Sequence, residues 1–314
     1  MDEKKSKTVD NDVHIGLIAC TFGYIFVAVA PVIVASSDVH GTAIAFWRSW
    51  IGFVSLGIIA LFRKQLTLEM FVKTAPAGLC FGASIGLYFW AAQMTSIINA
   101  SLIVVLQPLL FVIASYFIFS EAFTRVDAFF TILAIGGATF LVLAGTNSGS
   151  SDIKGDLLVV LSVHIGASYF IFARQTLPSV PILEFMTGMF AWAGMILSIM
   201  LAIGTTNPLT SDGSEWVRIF SVATATGIGH FFLNYSQGKA PFNMMGVLNL
   251  LMPVLSTFLA FWFLDQGVTS VQFIGMAIVI ATLASHSYFR TAEANSQNTN
   301  STAKIRETTD EGEK

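Results

Sequence analysis

The chain has 314 residues, 54% of them hydrophobic and 11% charged, with a formal net charge of -3. Soluble domains carry about 25% charged residues, so a mean hydropathy of +0.73 excludes a water-soluble globule and points to a bilayer as solvent. The acidic balance lacks the basic patch a nucleic-acid partner requires. The two cysteines, Cys20 and Cys80, lie in apolar runs and offer neither a disulfide framework nor a thiolate metal site.

A spanning helix needs ~20 mostly apolar residues. In chain order such stretches fall near 14–35, 41–62, 71–91, 97–119, 127–146, 156–174, 181–203, 216–236, 243–264 and 271–290. This predicts an all-α integral membrane fold of about ten transmembrane helices. Residues 1–13 read as a polar tail, and 291–314 as a tail too polar to order itself. The first stretch carries Lys4, Lys5 and Lys7 ahead of it, as a signal peptide would. Its apolar run exceeds the ~7–15 residues of such a segment, so it reads as a retained span.

With these spans, nearly every Lys and Arg falls on one side of the membrane. Only Lys154, with Arg48 and Arg218 just inside span ends, falls on the other. Positive charge stays inside, which predicts two cytoplasmic termini.

The polar residues within spans are the functional candidates. Tyr24 lies near the middle of the first span, with Pro31 beyond it. Arg48, in FWRSW beside Trp47, sits about 7 residues, or roughly 10 Å, inside the outer face. It suits an anionic group of a substrate, or equally helix-end carbonyls or the interface. The third span carries Gly78, Gly82 and Gly86 at four-residue spacing, a face smooth enough for close helix approach, with Tyr88 and Trp90 near its end. Gln107 and Pro108 lie in the middle of the fourth. His164, in the sixth span, and His230, in the eighth, are either buried neutral side chains or groups for proton coupling or substrate contact. Glu184 opens the seventh span, and an interfacial ion pair with Arg174 accounts for it. Trp192 lies deep in that span, roughly 16 Å from its end. Asn234 follows His230, and Asn249 precedes Pro253 in the ninth. Aromatic walls with a few polar anchors are the usual make-up of a small-molecule site, although interfacial belts also collect Trp and Tyr. Pro31, Pro108 and Pro253 each remove a backbone hydrogen bond and read as static kinks or as hinges. The fifth and tenth spans, nearly featureless, read as scaffold or as contact for a homodimer.

The chain also repeats itself. VLQPLLFVIASYFIFSEAFTRVD (105–127) lies over LLMPVLSTFLAFWFLDQGVTSVQ (250–272) at a constant offset of 145. Pro108 then falls on Pro253 and Thr124 on Thr269, with a carboxylate closing each helix, Glu121 and Asp265. Two copies with an odd number of spans must enter the membrane in opposite senses. Inverted repeats of this kind are common in secondary transporters.

These features, the matched prolines, FSEAFT, FLDQGVT and FWRSW, make the sequence resemble the EamA-type branch of the drug/metabolite transporter superfamily over about 14–290. The second half keeps the family's Gln-x-x-Gly as Gln272 and Gly275; the first half departs, with Asp127 and Phe130, and Gln266 aligns with Glu121. The resemblance implies two inverted five-helix repeats, 14–146 and 156–290, joined by an external linker, 147–155. It implies a secondary transporter of a small organic metabolite (amino acid, amine, nucleoside or similar), more often an exporter, in a bacterial inner membrane, with lipid and a small-molecule substrate as partners and no cofactor.

The rival readings are a membrane receptor or an intramembrane enzyme without a recognisable catalytic site. No two of the five histidines stand at metal-ligand spacing, and no G-x-S-x-G nucleophile motif occurs. No lysine lies deep within a span to form a Schiff base, Lys73 standing at the very start of the third.

Overall fold

The computed structural model describes residues 2–63, 66–95, 97–121, 124–143 and 152–264, with isolated helical positions between 270 and 285. All regular structure among them is helical: α1 (Asp2–Val27), α2 (Ala30–Ala35), α3 (Gly41–Phe62), α4 (Leu68–Ala91), α5 (Ile97–Val104), α6 (Gln107–Phe117), α7 (Arg125–Leu143), α8 (Ile153–Thr176), α9 (Ile182–Gly204), α10 (Gly213–Gln237), α11 (Phe242–Asn249) and α12 (Leu251–Phe263). Among the described residues seven segments are long and apolar enough to cross a membrane, counting α1–α2 from Asp12 and α11–α12 as one each. Large apolar side chains such as Phe62, Phe117, Ile203 and Trp262 are exposed on the outside, as lipid contact requires. The protein is a multi-pass membrane protein. The expected span 271–290 lies outside the described residues apart from isolated positions, as do Asp265, Gln266, Thr269, Gln272 and Gly275 and most of the 147–155 linker.

Helix α1 starts at Asp2, so the expected polar tail is continuous with the first span. Extending an existing helix avoids the cost of a new nucleus, and the Glu and Lys residues of this stretch are good helix formers.

Three expected spans are each broken in two. The breaks fall at residues 28–29, 105–106 and 250. Pro31, Pro108 and Pro253 sit just beyond them, in the first turn of α2, α6 and α12. A proline in a first turn removes no hydrogen bond that the turn needs, but it denies a donor to the carbonyl four residues earlier. Pro76, by contrast, lies inside an unbroken α4.

The packing is reciprocal. Helix α4 lies along α8, and α1 lies along α10; α4 meets α9, and α3 meets α10; α3 and α9 face each other. The broken helices follow the same rule, α5 packing on α12 and α6 on α11. The glycine stripe of α4 is the tightest seam. A Cβ on Gly78 would lie 2.7 Å from the Trp192 Cβ, and one on Gly82 would lie 2.6 Å from the Ala193 Cα. Only glycine lets α4 and α9 come this close.

Both ends of the bundle are tied by polar networks that join distant segments. At one end Glu121, after α6, accepts hydrogen bonds from the backbone N–H groups of Phe242 (2.8 Å) and Asn243 (3.4 Å) and from the Ser115 hydroxyl (2.5 Å). It pairs with Arg174 at 2.6 Å. Arg174 donates further to the carbonyls of Gln237 and Ala240. At the other end Glu215, buried in α10, accepts from the Ser37 hydroxyl and from the Asp38 N–H and pairs with Arg218. There Gln93 also stitches the loop before α3, donating to the carbonyls of Val34, Ser37 and Val39 and accepting from the Gly41 N–H.

Candidate functional site

The three helix breaks converge on one cavity. Val27 and Ala30 flank the first break, Val104 and Gln107 the second, and Asn249 and Met252 the third, and all six line the cavity. Its volume is about 110 Å³. A water occupies ~10–15 Å³ by this measure, so the space suits a small solute rather than a macromolecular segment.

The walls are mostly aromatic and aliphatic, with Phe81 at their centre. The Arg48 guanidinium carbon lies 5.1 Å from the Phe81 ring centroid. The rings of His230 and Tyr169 lie 4.7 Å and 4.8 Å from it. Three side chains, from α3, α8 and α10, therefore meet around a single phenyl ring of α4.

Arg48 is 2% exposed. Its Nε donates to the Thr226 hydroxyl oxygen, and that hydroxyl spends its own proton on the Val222 carbonyl at 2.6 Å. This relay fixes the guanidinium plane. Both Nη atoms have no hydrogen-bond partner. Three further buried polar atoms, on residues that line the cavity, are likewise unpaired: the Tyr24 hydroxyl, Nδ1 of His230 and Oδ1 of Asn249. An unmade buried hydrogen bond costs about 1–3 kcal/mol, so this grouping is a standing expense of the fold concentrated at one place. The contact with Phe81 repays about 0.5–2 kcal/mol, against a desolvation penalty of several kcal/mol per buried ion.

Of the residues singled out in the sequence, the structure brings Tyr24, Pro31, Arg48, Tyr88, Gln107, His230 and Asn249 to the cavity. Asn234 stands behind the wall, where its Oδ1 accepts from the Tyr169 hydroxyl at 2.8 Å. Pro108 and Pro253 lie in the first turns of α6 and α12, one residue beyond the lining residues Gln107 and Met252.

Four candidates lie elsewhere. Trp47 is one residue from Arg48, about 100° around the helix; when Arg48 faces in, Trp47 faces Trp216, and its indole donates to the Pro208 carbonyl at 2.7 Å. Trp90 is 38% exposed and packs against His40. Trp192 does lie deep along its helix, but its indole turns to the Phe71 carbonyl at 2.7 Å, not to the cavity. His164 is exposed, with Nδ1 at 2.8 Å from the Val160 carbonyl, because the inward face of α8 runs through Val159, Ser162, Val163, Gly166 and Phe170. The expected pairing of Arg174 with Glu184 is also corrected: Arg174 pairs with Glu121.

Sequence reasoning missed Phe81, Tyr169 and Thr226. One more Phe among 28 carries no signal in an apolar span. Thr226 shows its role only once Arg48 is seen to reach across 178 residues to it.

The family model described as "EamA-like transporter family" matches residues 14–143 and again 153–287. A solved structure described only as "Crystal structure of protein" superposes with a TM-score of 0.71 at 18% identity, over 90% of this chain and 98% of that one. At that identity the likeness is one of fold. No curated protein matches.

Proposed function

This chain belongs to the EamA-like transporter family, and we propose that it is a secondary carrier that moves a small organic metabolite by alternating access through the cavity around Phe81. The observation that carries this reading is the convergence of three broken helices on one cavity whose lining residues carry unpaired buried polar atoms. Discontinuous helices at mid-membrane, between structural repeats, are how many secondary carriers build their sites.

The architecture in this proposal is ten helices in two inverted halves, 14–146 and 156–290. Its support is the reciprocal packing of α5 on α12 and α6 on α11, of α4 on α8 and α1 on α10, the pattern a two-fold axis in the membrane plane produces. The Glu121 and Glu215 networks act as gates, one at each end, of which one opens while the other holds. The lysine and arginine distribution supports a cytoplasmic Glu121 end and cytoplasmic termini. The direction proposed is export from the cytoplasm across the inner membrane, on the resemblance.

Purified protein in liposomes should show saturable uptake that is accelerated by substrate on the far side. Flux that neither saturates nor responds to trans substrate would make the protein a channel. A cysteine placed near 121 and one placed near 265 should label from opposite faces; labelling from one face removes the inverted architecture.

A further inference from the structure

We infer that the cavity takes a carboxylate-bearing monoanion with an apolar body, bound end-on by the two Nη atoms of Arg48. This rests on the transporter reading and narrows its substrate class.

The geometry of Arg48 comes first. Its Nε is committed to Thr226, which leaves the edge formed by Nη1 and Nη2, and both atoms are unpaired. That edge presents two parallel N–H groups, the spacing a carboxylate accepts in bidentate fashion. The Thr226 relay to Val222 keeps the edge in one orientation before any ligand arrives.

Charge comes second. Among the described residues no Asp or Glu lines the cavity. The carboxylates of Glu121 and Glu215 are committed at the two ends of the bundle. The guanidinium therefore has no anion among the described residues, and an uncompensated buried charge is costly. A monoanion makes the loaded cavity neutral. A neutral solute, an amine or a zwitterion leaves the positive charge standing or adds to it.

Shape and hydrogen bonding come third. The aromatic walls, Phe81, Tyr88, Tyr169 and Phe170, suit an apolar body. The acceptors are arranged by the prolines. Pro31, Pro108 and Pro253 each deprive the carbonyl four residues earlier of its helical donor. Those carbonyls belong to Val27, Val104 and Asn249, all lining residues. With Oδ1 of Asn249 unpaired as well, the part of the anion away from its carboxylate is matched by a hydroxyl or amide N–H.

The test compares isosteres on the wild-type protein, so it does not depend on a variant folding. Phenylacetate, phenylacetamide, phenethylamine and phenylalanine are compared by thermal shift, because a ligand of the folded state raises the unfolding temperature. Phenylacetate should stabilise, and the other three should do so weakly or not at all. Arg48→Gln should weaken phenylacetate binding on the order of a hundredfold, and Arg48→Lys should retain part of it. Equal or greater stabilisation by the amide, the amine or phenylalanine overturns the inference, as does wild-type phenylacetate affinity in Arg48→Gln or no shift with phenylacetate at all. Carboxylate stabilisation without counterflow in liposomes upholds the anion site and sinks the carrier reading. Counterflow of neutral or cationic solutes without a carboxylate effect does the reverse.

Discussion

Glu121 and Arg174, 53 residues apart, meet at 2.6 Å at the mouth of α11, and the same carboxylate caps the first backbone N–H groups of that helix. Helix α11 follows Pro241, which offers no side-chain cap, so Glu121 supplies what the local sequence lacks. The pair is mostly shielded, with side chains 21% and 17% exposed. Breaking such a pair by removing one partner costs about 3 kcal/mol. Glu121→Gln should therefore lower the unfolding temperature. In a background lacking Cys20 and Cys80, it should also raise the labelling rate of a cysteine at Asn249 by a reagent applied from the Arg174 side. Unchanged labelling would show that the contact does not gate the cavity.

Glu215 predicts the opposite polarity. Its carboxylate holds the Ser37–Asp38 loop and Arg218. Glu215→Gln should speed labelling of the same cysteine from the Glu215 side and leave labelling from the Arg174 side unchanged or slower. Equal acceleration from both sides would indicate general loosening.

Tyr24 separates stability from function. Its hydroxyl is buried without a partner, so Tyr24→Phe removes an unsatisfied group and should raise stability by about 1 kcal/mol. Transport of the native substrate should fall in the same variant. A thermal-unfolding curve and a flux assay read the two effects, and loss of both together would mean that the hydroxyl is structural.

The glycine seam gives a packing test with an internal control. A Cβ at Gly82 would sit 2.6 Å from the Ala193 Cα, which is backbone and cannot swing away. Gly82→Ala should destabilise by about 1–3 kcal/mol. Gly136, in α7, has nothing within 4 Å of its added Cβ, and Gly136→Ala should be neutral or stabilising by up to about 1 kcal/mol. Paired thermal melts decide.

His40 adds a pH dependence outside the membrane spans. Partial burial lowers its pKa from 6.5, and its Nδ1 accepts the Thr42 N–H that opens α3. Because the folded state binds the proton less readily than the unfolded one, this contribution is complete above pH 6.5 and is lost as pH falls below it. His40→Asn keeps a capping acceptor without the titration. It should flatten the dependence of unfolding temperature on pH below 6.5; an unchanged slope would assign the effect to another group.

Depth along a helix was legible in the sequence, and direction around it was not. Counting residues placed Tyr24 and Gln107 near the middle of their spans and Asn249 ahead of Pro253, and the three prolines marked where helices break. The same counting placed Trp192 deep but could not tell that its indole turns to Phe71. In an apolar span every face is hydrophobic, so the periodicity that reveals the inner face of a soluble helix is absent. Arg48 was legible because a buried charge stands out against such a background. Its partners Phe81 and Thr226 were not, since neither residue type is unusual there. The Arg174 pairing was misassigned to Glu184, the carboxylate nearer in sequence, because Glu121 is brought in only by the packing of α6 on α11.

The proline-freed carbonyls of Val27, Val104 and Asn249 have one more consequence. An oxygen that belongs to the main chain is untouched by replacing the residue that bears it. Alanine scanning would thus score Val27 and Val104 as silent even if both oxygens grip the cargo, and only the amino acid four positions downstream, in each case a proline, would betray them.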